Sequence, residues 1–236
     1  LQDARFIFSL PPGVNSDQPI NITYRLAGTA GSSDYTANPA SGSMVIPAGQ
    51  NSVALQLAVA DDLVLEETET VTLNNIQIAN AYNNVSLAQP VPIINIFDND
   101  VANLTITAPA PTLEGNLGQK SFNFNITLDK ATDRSFTLDY NTYDISATTA
   151  NRDYESRTGR VSFAGFAGET KTIAVPVIGD IELENNETFG FRIFGLSTDF
   201  AGKMILGNDA NAIIQNDDIG PVANDDRVST LEDTPI

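Results

Sequence analysis

No cysteine, no histidine and no tryptophan occur anywhere in the 236 residues. Without cysteine, no disulfide staples the fold and no thiolate can act. Without histidine, the usual general base is missing, and so is the commonest nitrogen ligand for zinc, copper or iron. No apolar run approaches the ~20 residues needed to span a bilayer, and no signal-peptide pattern is present. Basic residues are scarce, with 12 Lys+Arg against 30 Asp+Glu and a net charge of −18. Such a surface repels phosphate backbones and anionic lipid, which argues against nucleic acid and membrane surfaces as partners. What remains is oxygen chemistry, which suits hard cations.

The rest of the composition is globular: 42 % hydrophobic and 18 % charged, far from a disordered profile. The length fits about two domains, each large enough to close its own core. The chain starts at Leu1 without an initiator Met and stops inside a motif at Ile236, so a piece of a longer polypeptide is expected.

Internal repetition organises the sequence. Asp34-Tyr35 recurs as Asp153-Tyr154, and Ala48-Gly49-Gln50 as Ala167-Gly168-Glu169, both offset by 119. Asp62, Glu66 and Glu69 recur as Asp180, Glu184 and Glu187, and Asp98-Asn99-Asp100 as Asn216-Asp217-Asp218, both offset by 118. Four landmarks in register mean a tandem duplication. Between them, apolar and polar residues alternate in short runs. Phe122, Phe124, Ile126 and Leu128 form one run; Phe6, Phe8 and Leu10 form its counterpart. Val53, Leu55, Leu57 and Val59 match Ile173, Val175 and Val177. Thr, Val, Ile and Phe fill these runs, and Gly, Asn, Asp and Pro separate them. About seven strands per copy are expected, in an all-β fold of two tandem immunoglobulin-like antiparallel sandwiches. The Glu-rich windows Leu63–Thr70 and Ile181–Thr188 read as loops. Gly49 and Gly168 read as turn positions needing positive φ. Copy one runs over residues 1–102, copy two over 103–218, and a tail over 219–236. Copy one lacks a counterpart of Thr112-Leu113-Glu114-Gly115, so its opening strand is expected to be missing.

The carboxylates fall in the connections. Asp34 is expected after the third strand of its copy, Asp61-Asp62-x-x-x-Glu66-x-x-Glu69 between the last long strands, and Asp98-x-Asp100 after the final strand. In a Greek-key sandwich such loops gather at one end. Like charges brought together repel by about 4 kcal/mol per pair at 4 Å and an effective dielectric near 20. A divalent cation offsets this, and calcium accepts six to eight oxygens in loose geometry where magnesium wants a small octahedron. Taken singly, an Asp-Tyr or an Asp-Asn-Asp is an ordinary turn. In register in both copies, they point to calcium.

These residues resemble the Calx-beta module of sodium/calcium exchangers, integrin β4 and bacterial surface proteins. The matching pattern reads Asp153-Tyr154, Gly159-Arg160-Val161-Ser162-Phe163, Gly168-Glu169, Asp180-x-x-x-Glu184-x-x-Glu187-Thr188-Phe189 and Ile213-Ile214-Gln215-Asn216-Asp217-Asp218. The resemblance implies calcium (Ca2+) held by Asp34, Asp61, Asp62, Glu66, Glu69, Asp98 and Asp100 in copy one. In copy two it implies Glu114, Asp153, Asp180, Glu184, Glu187, Asp217 and Asp218. Gly179 stands where copy one has Asp61, and Asn216 where it has Asp98, so copy two is expected to bind fewer ions or to bind more weakly. The tail, with Pro221-Val222-Ala223-Asn224-Asp225-Asp226 and Glu232-Asp233-Thr234-Pro235, resembles the opening of bacterial cadherin-like repeats.

The expected function is a non-enzymatic, calcium-binding segment of a secreted or cell-surface modular protein, with calcium stiffening the junctions between neighbouring modules. Two alternatives stand beside it: an adhesin module that binds glycan or protein directly, and a metal-free spacer. A carboxylate-pair glycosidase is the enzymatic alternative. The repetition of the acidic set in both copies argues against it.

Overall fold

A computed structural model describes residues 4–79, 87 and 90–220, so the cadherin-like reading of the tail lies outside the described residues. The described residues contain sixteen strands and no helix. In the first module these are β1 (Ala4–Ser9), β2 (Ile20–Gly28), β3 (Tyr35–Asn38), β4 (Ser43–Ile46), β5 (Ser52–Val59), β6 (Glu69–Ala79) and β7 (Ile94–Ile96). In the second they are β8 (Ala102–Thr107), β9 (Thr112–Leu113), β10 (Gln119–Leu128), β11 (Phe136–Asp144), β12 (Thr158–Phe163), β13 (Thr170–Ile178), β14 (Glu187–Phe194), β15 (Met204–Leu206) and β16 (Ala210–Gln215).

Each module is a sandwich of two sheets. The first stacks β1-β5-β3 on β4-β2-β6-β7; the second stacks β13-β10-β8-β15 on β12-β11-β14-β16-β9. Alternation builds the layers. Along β2, Ile20, Ile22 and Tyr24 are buried while Asn21, Thr23 and Arg25 are exposed. The duplication extends to register. Phe6 pairs with Leu55 as Phe124 pairs with Ile173, each partner 118 residues on. Gly49 and Gly168 both take positive φ, 81° and 77°, at equivalent turns. The two Glu-rich windows are loops up to Glu69 and Glu187, which open β6 and β14.

The cores are unequal. The second module has one continuous core, with Phe124 stacked on Phe191 at 4.6 Å and Tyr154 on Phe189 at 4.4 Å. The first divides into two smaller clusters, around Leu55–Leu57 and around Ile20–Ile22. β8 lies beside β10, but among the described residues no strand lies on the outer side of β1.

The modules meet through the β5–β6 loop of the first. Leu65 is fully buried and belongs to the core of the second module. Its backbone forms a parallel bridge with Thr132: the Leu65 amide donates to the Ala131 carbonyl at 2.9 Å, and the Asp133 amide to the Leu65 carbonyl at 3.1 Å. The Thr198 hydroxyl donates to Glu67, and Lys130 pairs with Asp100 at 2.9 Å.

Candidate metal centres

The loops that carry the repeated carboxylates converge at one end of each sandwich. In the first module, Asp34 lies between β2 and β3, one strand earlier than the sequence pattern suggests. It meets Glu66 and Glu69 with carboxylate oxygens within 4.8 Å of one another. The Gly31 amide and the Ser33 hydroxyl both donate to Asp34. Burial opposes ionisation of Asp34, but these donors and Glu69 outweigh it and hold its pKa below the ordinary value. The neighbouring glutamates go the other way. Burial, then the hydrogen bond to Asp34 and its charge, push Glu69 up to about 7. Burial, then Asp34, Glu69, Asp62 and Asp133, do the same to Glu66.

The second module gathers two such groups. Asp153, Glu184 and Glu187 repeat the first site residue for residue, and Glu114, Asp217 and Asp218 form another within the same 4.8 Å limit. Asp153 accepts the Thr148 amide at 2.6 Å. Burial first, and then a hydrogen bond to Asp153, raise Glu187 just as Asp34 raises Glu69. Glu114 is delivered by β9, which pairs in parallel with β16 and places the Glu114 amide on the Gln215 carbonyl. The Gly115 amide donates to Asp217 at 2.9 Å, and the Asn116 side chain to Asp218 at 2.6 Å. Burial, then Glu184, Asp180, Asp218 and Asp217, push Glu114 up to about 7. Glu184 is raised by burial and by both Asp153 and Asp218, so the two groups adjoin.

Four buried side-chain oxygens among the described residues have no hydrogen-bond partner: Glu69 Oε2, Glu114 Oε1, Glu187 Oε2 and Asp218 Oδ2. All four belong to these three carboxylate groups. An orphaned buried acceptor costs free energy, and here every orphan belongs to a cluster of other carboxylates. A hard cation with oxygen ligands fits this arrangement. Three carboxylates offer up to six oxygens, within the range calcium takes.

Five of the fourteen candidate ligands stand outside the groups. Asp62 and Asp180 each accept the amide two residues on, from Val64 at 2.8 Å and Glu182 at 2.7 Å. They shape the same turn in both copies. Asp98 accepts the Glu66 and Asp100 amides, both at 3.1 Å. Asp61 accepts the Asn99 side chain at 3.3 Å. Asp100, 8 % exposed, is paired with Lys130 of the other module.

Among the described residues, the second module brings two carboxylate groups together and the first module one. Gly179 is not simply a lost ligand: a β-carbon there would lie 1.9 Å from the Gly115 carbonyl oxygen. The glycine makes room for the segment that carries Glu114. Asn216 likewise has a structural task, accepting the Glu184 amide at 3.4 Å and donating to the Asp218 carbonyl at 3.0 Å. Sequence comparison also missed three residues that the second module contributes near the first site. Lys130 pairs with Asp100, Asp133 acts electrostatically on Glu66, and Arg134 bonds Asp133 at 2.7 Å and partly offsets the rise at Glu69. Comparing copies could not find them, because their loop serves the other copy's site.

Two tandem immunoglobulin-like sandwiches with carboxylate-lined loop ends define the class of protein. The chain belongs to the Calx-beta domain family, whose profile matches residues 22–107 and 98–218. It is similar to the solved apo-form Calx CBD1 domain, at 23 % identity and TM-score 0.41 over 50 % of this chain and 100 % of that one. It is also similar to CBD12 from CALX1.2, at 19 % identity and TM-score 0.37 over 90 % and 92 %. A third is the calcium binding domain CBD12 of CALX1.1, at 17 % and 0.34 over 90 % and 93 %. No curated protein sequence matches the chain. No described helix is long and apolar enough to cross a membrane.

Proposed function

We propose that both modules bind calcium at their loop ends, and that calcium at the first site locks the junction between them. The observation that carries this reading is the set of four orphaned, buried carboxylate oxygens, all within the three acidic groups. The junction reading rests on adjacency: Glu66 of the first group directly follows Leu65, the residue buried in the second module. Fixing the Glu66 carboxylate on an ion fixes the loop that holds Leu65 in place. Binding to the native state then stabilises it by mass action. The reading is non-catalytic. It extends to a secreted or surface-exposed modular protein, for which the acidic surface is the support. Protease accessibility on intact cells tests that extension.

Titration calorimetry with calcium tests the core of the proposal, together with the thermal midpoint and the X-ray-scattering length in calcium and in chelator. Saturable binding, a higher midpoint and a narrower distribution of lengths are expected with calcium. An unchanged midpoint and length would sink it.

A further inference from the structure

The larger sheet of the second module joins β12, β11, β14 and β16 in continuous register, so no strand is missing from its outer face. Along β14 the buried Phe189, Phe191 and Ile193 point inward, and the outward positions alternate with them. The outward side chains meet around one ring. Tyr143 stands opposite Gly190, where an added β-carbon would lie 2.1 Å from the ring's Cζ. The ring therefore lies flat across the sheet. The Arg192 guanidinium sits 5.7 Å from the centres of both the Tyr143 and the Phe194 ring, and its Nε donates to the Asn141 side chain at 2.8 Å. The Tyr143 hydroxyl donates to Asp209 at 3.0 Å. Neither Arg192 nor Asp209 has an ion pair among the described residues, whereas Arg160 and Asp139 on the same face pair at 2.7 Å. The first module pairs the same strands without this set: Ala27 stands opposite Thr72 where the second module has Tyr143 opposite Gly190. The sandwich itself does not need the arrangement.

We propose that this face binds a second copy of the chain, face to face about a two-fold axis, with Arg192 of each copy against Asp209 of the other. Charge complementarity argues for this occupant. The chain carries a net charge of −18, so two copies repel over most of their surfaces. Here the charges balance: Arg160 is matched by Asp139, and Arg192 and Asp209, the two without ion pairs, flank the same ring. A two-fold axis uses such a pair twice, because in an isologous contact residue i meets j and j meets i. Phe194 and Ile213, 42 % and 39 % exposed, supply apolar surface on the same face. Tyrosine and arginine are the side chains that most often dominate binding at such patches. Four strands ~4.8 Å apart and about 20 Å long give roughly 400 Å² of flat sheet per copy. That is the small end of specific interfaces, so a reversible dimer with a dissociation constant on the order of tens of micromolar is expected. The dimer does not depend on calcium at the loop ends.

Sedimentation equilibrium of the intact chain tests this, in chelator and in calcium, from about 5 µM to about 1 mM so that the range brackets the expected constant. A monomer–dimer equilibrium is expected in both. Arg192→Asp and Asp209→Arg should each keep the chain monomeric, since each sets like charges against one another at both contacts. Mixing the two variants one to one should restore the dimer, because the mixed pair recovers an unlike charge at both contacts. Phe194→Ala should weaken association at least about tenfold. All three positions face solvent, so circular-dichroism spectra should stay unchanged. A parent chain that is monomeric at the highest concentration would overturn the proposal. So would a dimer that survives both charge substitutions, or a mixture of the two folded variants that fails to associate.

Discussion

A β-carbon added to Gly179 would sit 1.9 Å from the carbonyl oxygen of Gly115 and 2.9 Å from that of Glu114. The close approach holds the β9 segment against the acidic end of the second module, where Glu114 is 3 % exposed. Restoring the first copy's residue by Gly179→Asp therefore adds a carboxylate and yet should cost the site. Gly179→Ala should do the same. Both should destabilise the second module, by about 1–3 kcal/mol as for other overpacked positions, and weaken calcium binding there. Calorimetry on the two variants decides it, because a purely electrostatic account predicts tighter binding for Asp and no change for Ala.

Acidity should stabilise the calcium-free protein. Glu66, Glu69 and Glu114 have folded-state pKa values of about 7 against an ordinary 4.5, and Glu187 is raised as well. Between those values the folded chain binds more protons than the unfolded one, so stability falls as pH rises. The contribution is complete below about pH 4.5 and is lost through pH 7. In chelator, the urea midpoint should drop between pH 5 and pH 8. Saturating calcium should flatten or reverse that slope, because binding displaces these protons. Asp34 contributes in the opposite sense, but only at more acid pH, since its pKa is lowered.

Glu69→Gln and Glu187→Gln probe the repeated carboxyl–carboxylate pairs with Asp34 and Asp153. The amide keeps the shape, removes one charge and can donate to the aspartate. Each variant should melt higher than the parent in chelator and bind calcium roughly tenfold more weakly at its own module. Lower thermal midpoints in chelator would show that the orphaned oxygens are not a source of strain.

Leu65→Ala should uncouple the modules. The side chain is fully buried in the partner module's core, and removing it should cost about 2–5 kcal/mol of coupling. Scattering in calcium should then show the broader length distribution of the chelated parent. Lys130→Ala should have a related but smaller effect, because it strips Asp100 of its ammonium partner. Tryptic sensitivity at the junction, compared with and without calcium, gives an independent reading.

Much of this arrangement was legible in the chain itself. The offset of 118–119 residues located both copies, and period-two runs such as Phe122–Leu128 located strands and their buried faces. All nine residues of the three carboxylate groups carry acidic side chains at positions marked by the repeat or by the family pattern. What was not legible concerned contacts between segments distant in sequence. Residue type alone did not show that Asp98 accepts the Glu66 and Asp100 amides or that Asp100 meets Lys130. Gly179 looks like a deletion of charge until the Glu114 segment is seen packed on it.

The sequence by itself determined the duplication, the sandwich class and the acidic chemistry, because side-chain alternation and turn residues act over a few neighbours and repeat in register. Only the tertiary structure decided which carboxylates meet, with two groups in the second module and one in the first among the described residues, and that Leu65 is shared between modules. Those outcomes depend on packing between elements tens of residues apart, where a single missing β-carbon or a neighbouring strand settles what the local pattern leaves open.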